Sequence, residues 1–246
     1  MRRLILSDLH GNGEALAAVL RDARGNFDEA VCCGDVVGYG ASPGETVAWA
    51  REHATATVRG NHDRVCAGLS DDRWFNGAAR AAALWTRDRL SAADLEWLRA
   101  LPAGPLRFDN FELVHGAPYD EDDYLADDAD VAGLDQELER PVCFIGHTHI
   151  QGGWQWTRGG LYRLPTPAPD ESERLIPLEN ETLYLVNPGA VGQPRDHDPR
   201  AAYAIWDDDT RQLVFRRVAY DVERAQQRIL EAGLPGWLAA RLAIGR

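Results

Sequence analysis

The chain has 246 residues, of which 45% are hydrophobic and 26% charged. That balance supports a sizeable core and excludes a mainly disordered chain. Acidic residues outnumber basic ones, 39 to 26, for a formal net charge of −13, which repels a phosphate backbone and speaks against duplex DNA or RNA as a partner. Every basic residue is an arginine, so mechanisms built on a Schiff-base or P-loop lysine are excluded. No apolar run approaches the ~20 residues that span a bilayer, and Leu4-Ile5-Leu6 is too short to be the core of a signal peptide. The chain therefore reads as a soluble cytoplasmic protein without a membrane partner. Cys32, Cys33, Cys66 and Cys143 contain no Cys-x-x-Cys pair and read as small buried hydrophobes in a reducing compartment.

In chain order, short apolar runs alternate with helical stretches, the pattern of βα units around a sheet. Arg3 to Ser7 reads as a strand. Glu14 to Ala23 reads as a helix with Ala15, Leu16, Val19 and Leu20 on one face. Glu29 to Cys33 is the next strand, and Ser42-Pro43-Gly44-Glu45 is a helix start. That helix runs to about Glu52, and Ala54 to Val58 forms a third strand. A helical, Ala/Arg-rich segment covers about 65–100. Leu106 to Phe108 and Phe111 to Val114 form a hairpin around Asp109-Asn110. An acidic loop covers about 117–130, with seven acidic residues between Asp120 and Asp130; it is either a solvated loop or a rim that rejects polyanions. Val131 to Glu139 is expected to be helical and Pro141 to Ile145 a strand. Trp154 to Trp156, Leu161 to Leu164, Leu183 to Val186, Ala201 to Trp206 and Leu213 to Val218 alternate like strands of a second sheet. Pro165 to Glu173 is a loop, and Asp221 to Ala232 a helix. No linker or internal repeat divides the chain, so residues 1–246 are taken as a single domain.

Five polar clusters directly follow apolar runs: Asp8-Leu9-His10, Gly34-Asp35, Gly60-Asn61-His62-Asp63, His115-Gly116 and Gly146-His147-Thr148-His149. Ligands of open α/β sheets bind outside the carboxyl ends of strands, so five strand ends deliver metal-ligand types to one edge. A single strand-end histidine is usually a hydrogen-bonded structural residue. Two aspartates, one asparagine and four histidines after separate strands have no comparable packing explanation, because clustering them without a cation leaves buried polar groups unpaired. Seven ligands exceed one tetrahedral site, so two metals are implied, and Asp35 has enough lone pairs to bridge them. Oxygen and imidazole donors without thiolate suit divalent manganese first, with iron, zinc or nickel as alternatives.

This ordered set, with Asn187-Pro188-Gly189-Ala190 further on, resembles the calcineurin-like metallophosphoesterase superfamily over most of the chain. The resemblance implies an α/β fold, a four-layer α/β/β/α sandwich of two mixed sheets flanked by helices. It implies that Asp8, His10, Asp35 and His149 hold one metal and that Asp35, Asn61, His115 and His147 hold the second. It also implies that His62 lies just outside the metals and acts on the leaving group, with an ordinary pKa near ~6.5. Asp63 would orient His62, cap the following helix, or pair with Arg64. Two cations ~3.5–4 Å apart make hydroxide available near neutral pH for in-line attack on a small phosphodiester or nucleotide. The Gly34 to Gly40 stretch departs from the protein Ser/Thr phosphatases of the superfamily: Gly38 replaces the aspartate that supports the catalytic histidine, and Tyr39 replaces a phosphate-binding arginine. It is similar instead to small prokaryotic phosphodiesterases and diadenosine-tetraphosphatase-related proteins. Ala117 and Ala190 stand where relatives often carry serine.

Candidate substrate contacts are Arg195 or Arg200, unless they form ordinary surface ion pairs. Asn12 is a further candidate, unless it only caps a helix, and Tyr39 another, unless it only packs. Trp154 and Trp156 suit sheet-face packing better than a nucleobase platform. The alternatives in class are a phosphomonoesterase, a protein phosphatase or a diadenosine polyphosphate hydrolase. The alternative outside it is a non-catalytic scaffold with the same fold, as in the retromer subunit of the superfamily.

Overall fold

The computed structural model describes residues 1–246. The chain begins with β1 (Arg2–Leu6), α1 (Gly13–Asp22), β2 (Glu29–Cys32), α2 (Pro43–His53) and β3 (Ala54–Thr57). Asn12 Oδ1 accepts the Ala15 amide at the start of α1, and Pro43, with its fixed φ, opens α2. The helical segment divides into α3 (Asn61–Cys66), α4 (Gly77–Arg89) and α5 (Ala92–Ala100), the last two capped by the side chains of Asn76 and Ser91. There follow β4 (Leu106–Arg107), β5 (Phe111–Leu113), β6 (Val142–Phe144), β7 (Gly152–Thr157), β8 (Gly160–Arg163), β9 (Glu173–Pro177), β10 (Leu183–Asn187), β11 (Ala201–Asp207), β12 (Gln212–Val218), α6 (Val222–Glu231) and α7 (Gly236–Ala240). No helix is long and apolar enough to cross a membrane.

The strands form two six-stranded mixed sheets, in the orders β3-β2-β1-β11-β12-β9 and β4-β5-β6-β10-β7-β8. In the first, β1, β2 and β3 are parallel; in the second, β5, β6 and β10 are parallel. The sheets face each other across Ile5, Val31, Phe111, Phe144, Tyr184, Val186, Trp206 and Phe215, all buried. The outer face of the first sheet, with Leu4, Leu6, Ala30 and Cys32, is covered by helices through Leu16, Val19, Val47 and Leu98. The outer face of the second sheet, with Cys143, Ile145, Trp154 and Leu185, is covered by Leu125, Val131 and Leu134.

Three expectations are corrected. β11 and β12 belong to the first sheet, where β11 pairs antiparallel with β1 (Ile5 opposite Ala204) and β12 with β11; alternation reveals a half-buried strand but not which sheet receives it. The helix expected over Val131 to Glu139 shrinks to one 3-10 turn, Leu134–Gln136, after Gly133 at φ 80°. An unexpected strand, β9, forms the far edge of the first sheet with Leu175 half-exposed; its mixed sequence hid the period. Trp154 is buried, and its Nε1 donates to Asp128 Oδ1 at 2.8 Å, as packing requires.

Ile5 is fully buried between the sheets. Ile5→Ala should destabilise the protein by about 2–5 kcal/mol, since the cavity it leaves is walled by both sheets. A denaturant midpoint lowered by less than the equivalent of about 1 kcal/mol would contradict this position.

Candidate metal centre

The parallel strands of the two sheets end at a shared edge, and their carboxyl-terminal turns carry the polar clusters. Asp8 and His10 follow β1, Asp35 follows β2, and Asn61 and His62 follow β3. From the second sheet, His115 follows β5, and His147 and His149 follow β6. Of nine non-glycine residues with left-handed φ, six lie here: Asp8, His10, Asp35, Tyr39, His147 and His149. Such strain persists only where surrounding contacts impose it, and it gathers at functional sites. Gly60 is required, because a Cβ there would stand 2.0 Å from Asp35 Oδ1. Asn187 joins the strand ends of the second sheet: its Nδ2 donates to the Gly146 carbonyl at 2.7 Å and to Thr148 Oγ1 at 3.0 Å.

Two clusters share Asp35. Ligand atoms of Asp8, His10, Asp35 and His149 lie within 4.8 Å of one another, as do those of Asp35, His115 and His147, and all these residues are buried. Asp35 Oδ2 is 3.5 Å from His10 Nε2 and 3.4 Å from His115 Nε2. Asp8 Oδ1 is 3.3 Å from His149 Nε2. Asn61 Oδ1 is 3.3 Å from His115 Nε2.

These residues fit metal ions for a reason that lies in the hydrogen bonds. His10 Nδ1 faces the Val37 carbonyl at 3.0 Å, His149 Nδ1 that of Gln193 at 2.6 Å and His115 Nδ1 that of Cys33 at 2.8 Å; His147 Nε2 faces that of Asp122 at 3.0 Å. A carbonyl only accepts, so each of these ring nitrogens carries the proton and the opposite nitrogen of a neutral ring carries a lone pair. The lone-pair nitrogens of His10 and His149 then face each other at 3.0 Å, and those of His115 and His147 at 3.1 Å. Both Asp8 carboxylate oxygens are buried without a hydrogen-bond partner. Cations between these atoms satisfy all of them.

The electrostatics agree. Burial raises the Asp8 carboxyl to about 7, with His115 acting in the opposite direction. Burial would raise Asp35 too, but the facing imidazoles, His115 foremost, hold it well below the usual carboxylate range. Burial pushes His10 and His149 well below the ordinary imidazole value and His147 down to about 3. Burial opposes charge on His115 as well, yet Asp35 and Asp8 push it up to about 10. The cage thus draws positive charge, which divalent ions supply while requiring neutral imidazoles.

His62 lies beside this cage, with its ring between Tyr39 at 4.3 Å and Phe75 at 4.4 Å and edge-on to His10. Burial pushes it down to about 4, well below the ordinary value expected from sequence. Its Nδ1 is buried without a partner, and a Cβ on Gly38, at φ 93°, would stand 2.5 Å from that atom. Asp63 caps α3 and holds the β2 turn: its Oδ2 accepts the Gly60 amide at 3.0 Å and its Oδ1 the Val37 amide at 3.1 Å. Arg64 pairs with Glu121 and Asp122 instead of Asp63.

Two of the proposed substrate contacts are spent elsewhere. Asn12 accepts the Ala15 amide and donates to the Gly192 carbonyl at 2.8 Å, so it is a cap and a tether. Arg200 is held by Asp198 and the Glu171 carbonyl. Tyr39 is buried against His10 and His62. Arg195 stands apart: it donates to Tyr39 Oη at 3.3 Å and to Gln193 Oε1 at 3.2 Å, makes no ion pair, and leaves its buried Nε without a partner. Arg241 places its guanidinium 5.9 Å from the Tyr39 ring centre, close to Arg195 at 5.8 Å.

The sequence did not point to Tyr124, Phe75 or Arg241. Tyr124 lies over the His147 ring at 3.8 Å. The acidic loop that carries it is a wall of the site, tied down by Arg59 and Arg64 through Glu121. A tyrosine within an acidic run was the only trace of this in the sequence.

Residues 1–211 match the calcineurin-like phosphoesterase superfamily domain, and the chain belongs to that superfamily. Among solved structures it is similar to a metallophosphoesterase from Sphaerobacter thermophilus, with 38% identity, a TM-score of 0.86 and coverage of 100% of this chain and 99% of the other. A hypothetical protein from Pyrococcus horikoshii OT3 shares the fold at 20% identity and a TM-score of 0.78, over 100% of this chain and 98% of the other. An uncharacterised protein of Methanocaldococcus jannaschii is 32% identical over 259 residues, spanning 98% of this chain and 97% of the relative.

A ligand bound only by the folded state at a hundredfold excess over its Kd adds about 2.7 kcal/mol of stability. Manganese at that excess should therefore raise the unfolding midpoint by about 5–10 °C. Asp8→Ala, which removes a ligand from one half of the cage only, should cut that rise by about half; an equal rise in the variant would place the ion elsewhere.

Proposed function

We propose that the protein is a dinuclear metal-dependent phosphoesterase that hydrolyses a small phosphodiester or nucleotide. The observation that carries this reading is the position of Asp35 Oδ2, within 3.5 Å of a lone-pair nitrogen in each half of the cage. Asp8, His10, Asp35 and His149 would hold one divalent ion, and Asp35, Asn61, His115 and His147 the other, with manganese the first to test and iron, zinc and nickel after it. When bound, such a pair lowers the pKa of a shared water and offsets charge on the phosphoryl oxygens.

The rest of the work belongs to the chain. The carbonyls of Val37, Cys33, Asp122 and Gln193 keep the four imidazoles in the coordinating tautomer. His62, neutral at pH 7, donates a hydrogen bond to the leaving oxygen from its place between Tyr39 and Phe75. Asp63 fixes the turns that carry Asp35 and His62. Arg195, free of carboxylates, takes a phosphate oxygen. A scaffold role is disfavoured by a complete ligand set with His62 beside it. Four buried, unpaired cysteines suit the reducing cytoplasm.

Reconstituted with manganese, the protein should hydrolyse bis-p-nitrophenyl phosphate, and comparison with p-nitrophenyl phosphate separates diester from monoester activity. His62→Ala should keep both metal equivalents and lose about 10²–10⁴-fold in turnover, whereas Asp35→Ala should lose both equivalents by elemental analysis. Full turnover in His62→Ala would remove that residue from the mechanism. Arg195→Ala should raise KM about tenfold, the scale of one charged hydrogen bond, with a smaller effect on kcat.

A further inference from the structure

A cavity of about 390 Å³ opens beside His62, with Asn61 and His147 also in its lining. It is of the size that holds a small organic ligand. Its walls are aromatic on both sides: Phe75 lies against the His62 ring at 4.4 Å, and Tyr124 lies against the His147 ring at 3.8 Å. Trp74 stands at its mouth with 95% of its surface exposed. A large indole left in water at the entrance to a cleft, while its neighbour Phe75 packs inward, presents a flat apolar face to whatever enters.

The arginines of this wall are already paired, and carboxylates are in excess. Arg64 is bound by Glu121 and Asp122, and Asp71 by Arg73. No free cation is left there to hold a second phosphate. The unpaired guanidinium of the site, Arg195, lies beside Tyr39 and is not part of this cavity's lining.

We propose that this cavity is the leaving-group subsite and that it takes an uncharged aromatic group, a nucleobase, stacked on Trp74. Its role as the leaving-group side rests on the phosphoesterase reading above, because His62, which faces the leaving oxygen in that reading, lines it. The geometry selects a substrate whose phosphate sits at the Asp35 cage with a nucleoside running out past His62 to the indole. It disfavours one that runs a polyphosphate chain in the same direction, because that chain meets Asp71 and Asp122 and no unpaired arginine.

The test is equilibrium dialysis of the manganese-loaded protein with adenosine as probe and ribose as control, a binding readout that needs no turnover. Adenosine should bind and ribose should not at the same concentration. Base stacking on an aromatic side chain is worth a factor of about ten, so Trp74→Ala should weaken adenosine by about tenfold. Trp74→Phe, which keeps an aromatic face, should return it to within about threefold of wild type. Since Trp74 is exposed, neither change removes core packing. The proposal is overturned if wild type does not bind adenosine at millimolar concentration, if ribose binds as well, or if Trp74→Ala binds adenosine like wild type. A protein that binds adenosine through Trp74 but hydrolyses no phosphate ester would sink the hydrolase reading and leave the aromatic site standing.

Discussion

Four backbone carbonyls decide what the centre of this protein can be. Each accepts a hydrogen bond from a ring N–H of one histidine, and each thereby turns a lone pair inward. When all four rings are neutral, the resulting pairs of unprotonated nitrogens meet at 3.0 and 3.1 Å, a separation they tolerate only around positive charge. The carboxylates of Asp8 and Asp35 press the same demand from the other side. The fold serves this arrangement: β1, β2 and β3 of one sheet and β5, β6 and β10 of the other run parallel within their sheets, so their turns converge at one edge. Six residues with left-handed backbone at that edge show how far the chain is bent to achieve it.

Much of this was legible in the order of the residues. Five polar clusters after five apolar runs announced the strands, their ends and the side chains that gather in the cage, because the same turns that stop a strand carry those side chains. Asn12 and Pro43 announced helix starts through local hydrogen bonding and fixed φ. What stayed hidden depended on contacts distant in sequence. Alternation in Ala201 to Val218 could not tell which sheet would receive those strands. Val131 to Glu139 has helical spacing but is stopped by a left-handed Gly133. Arg195 and Arg200 look alike five residues apart, yet Asp198 neutralises only the second. Tyr124 reaches His147 because its loop is held down by Arg59 and Arg64, by the Asp122 carbonyl and by buried Leu125.

The departures from the protein-phosphatase pattern also gain a physical meaning. Gly38 stands where those enzymes carry an aspartate supporting the catalytic histidine, and no room remains for any side chain there, since a Cβ would meet His62 Nδ1. His62 is held by ring contacts with Tyr39 and Phe75, and a hydrophobic clasp replaces an ionic one. Such a clasp lowers the imidazole's affinity for a proton instead of raising it, which accounts for a ring that stays neutral at pH 7. The substitution of Tyr39 for an arginine belongs to the same change, because the tyrosine both grips His62 and meets the guanidinium of Arg195.

The cage takes Asp8, His10, Asp35 and Asn61 from one sheet and His115, His147 and His149 from the other. Its dimensions are therefore set by the thickness of the sandwich, which Ile5, Phe144 and Trp206 fix from deep within. A bulkier side chain anywhere in that seam acts as a wedge, prising apart the two halves of the cage. The geometry of the cage is accordingly governed at a distance: side chains deep between the sheets set its span through their combined girth, since the gap between the sheets is the gauge to which that spacing is cut.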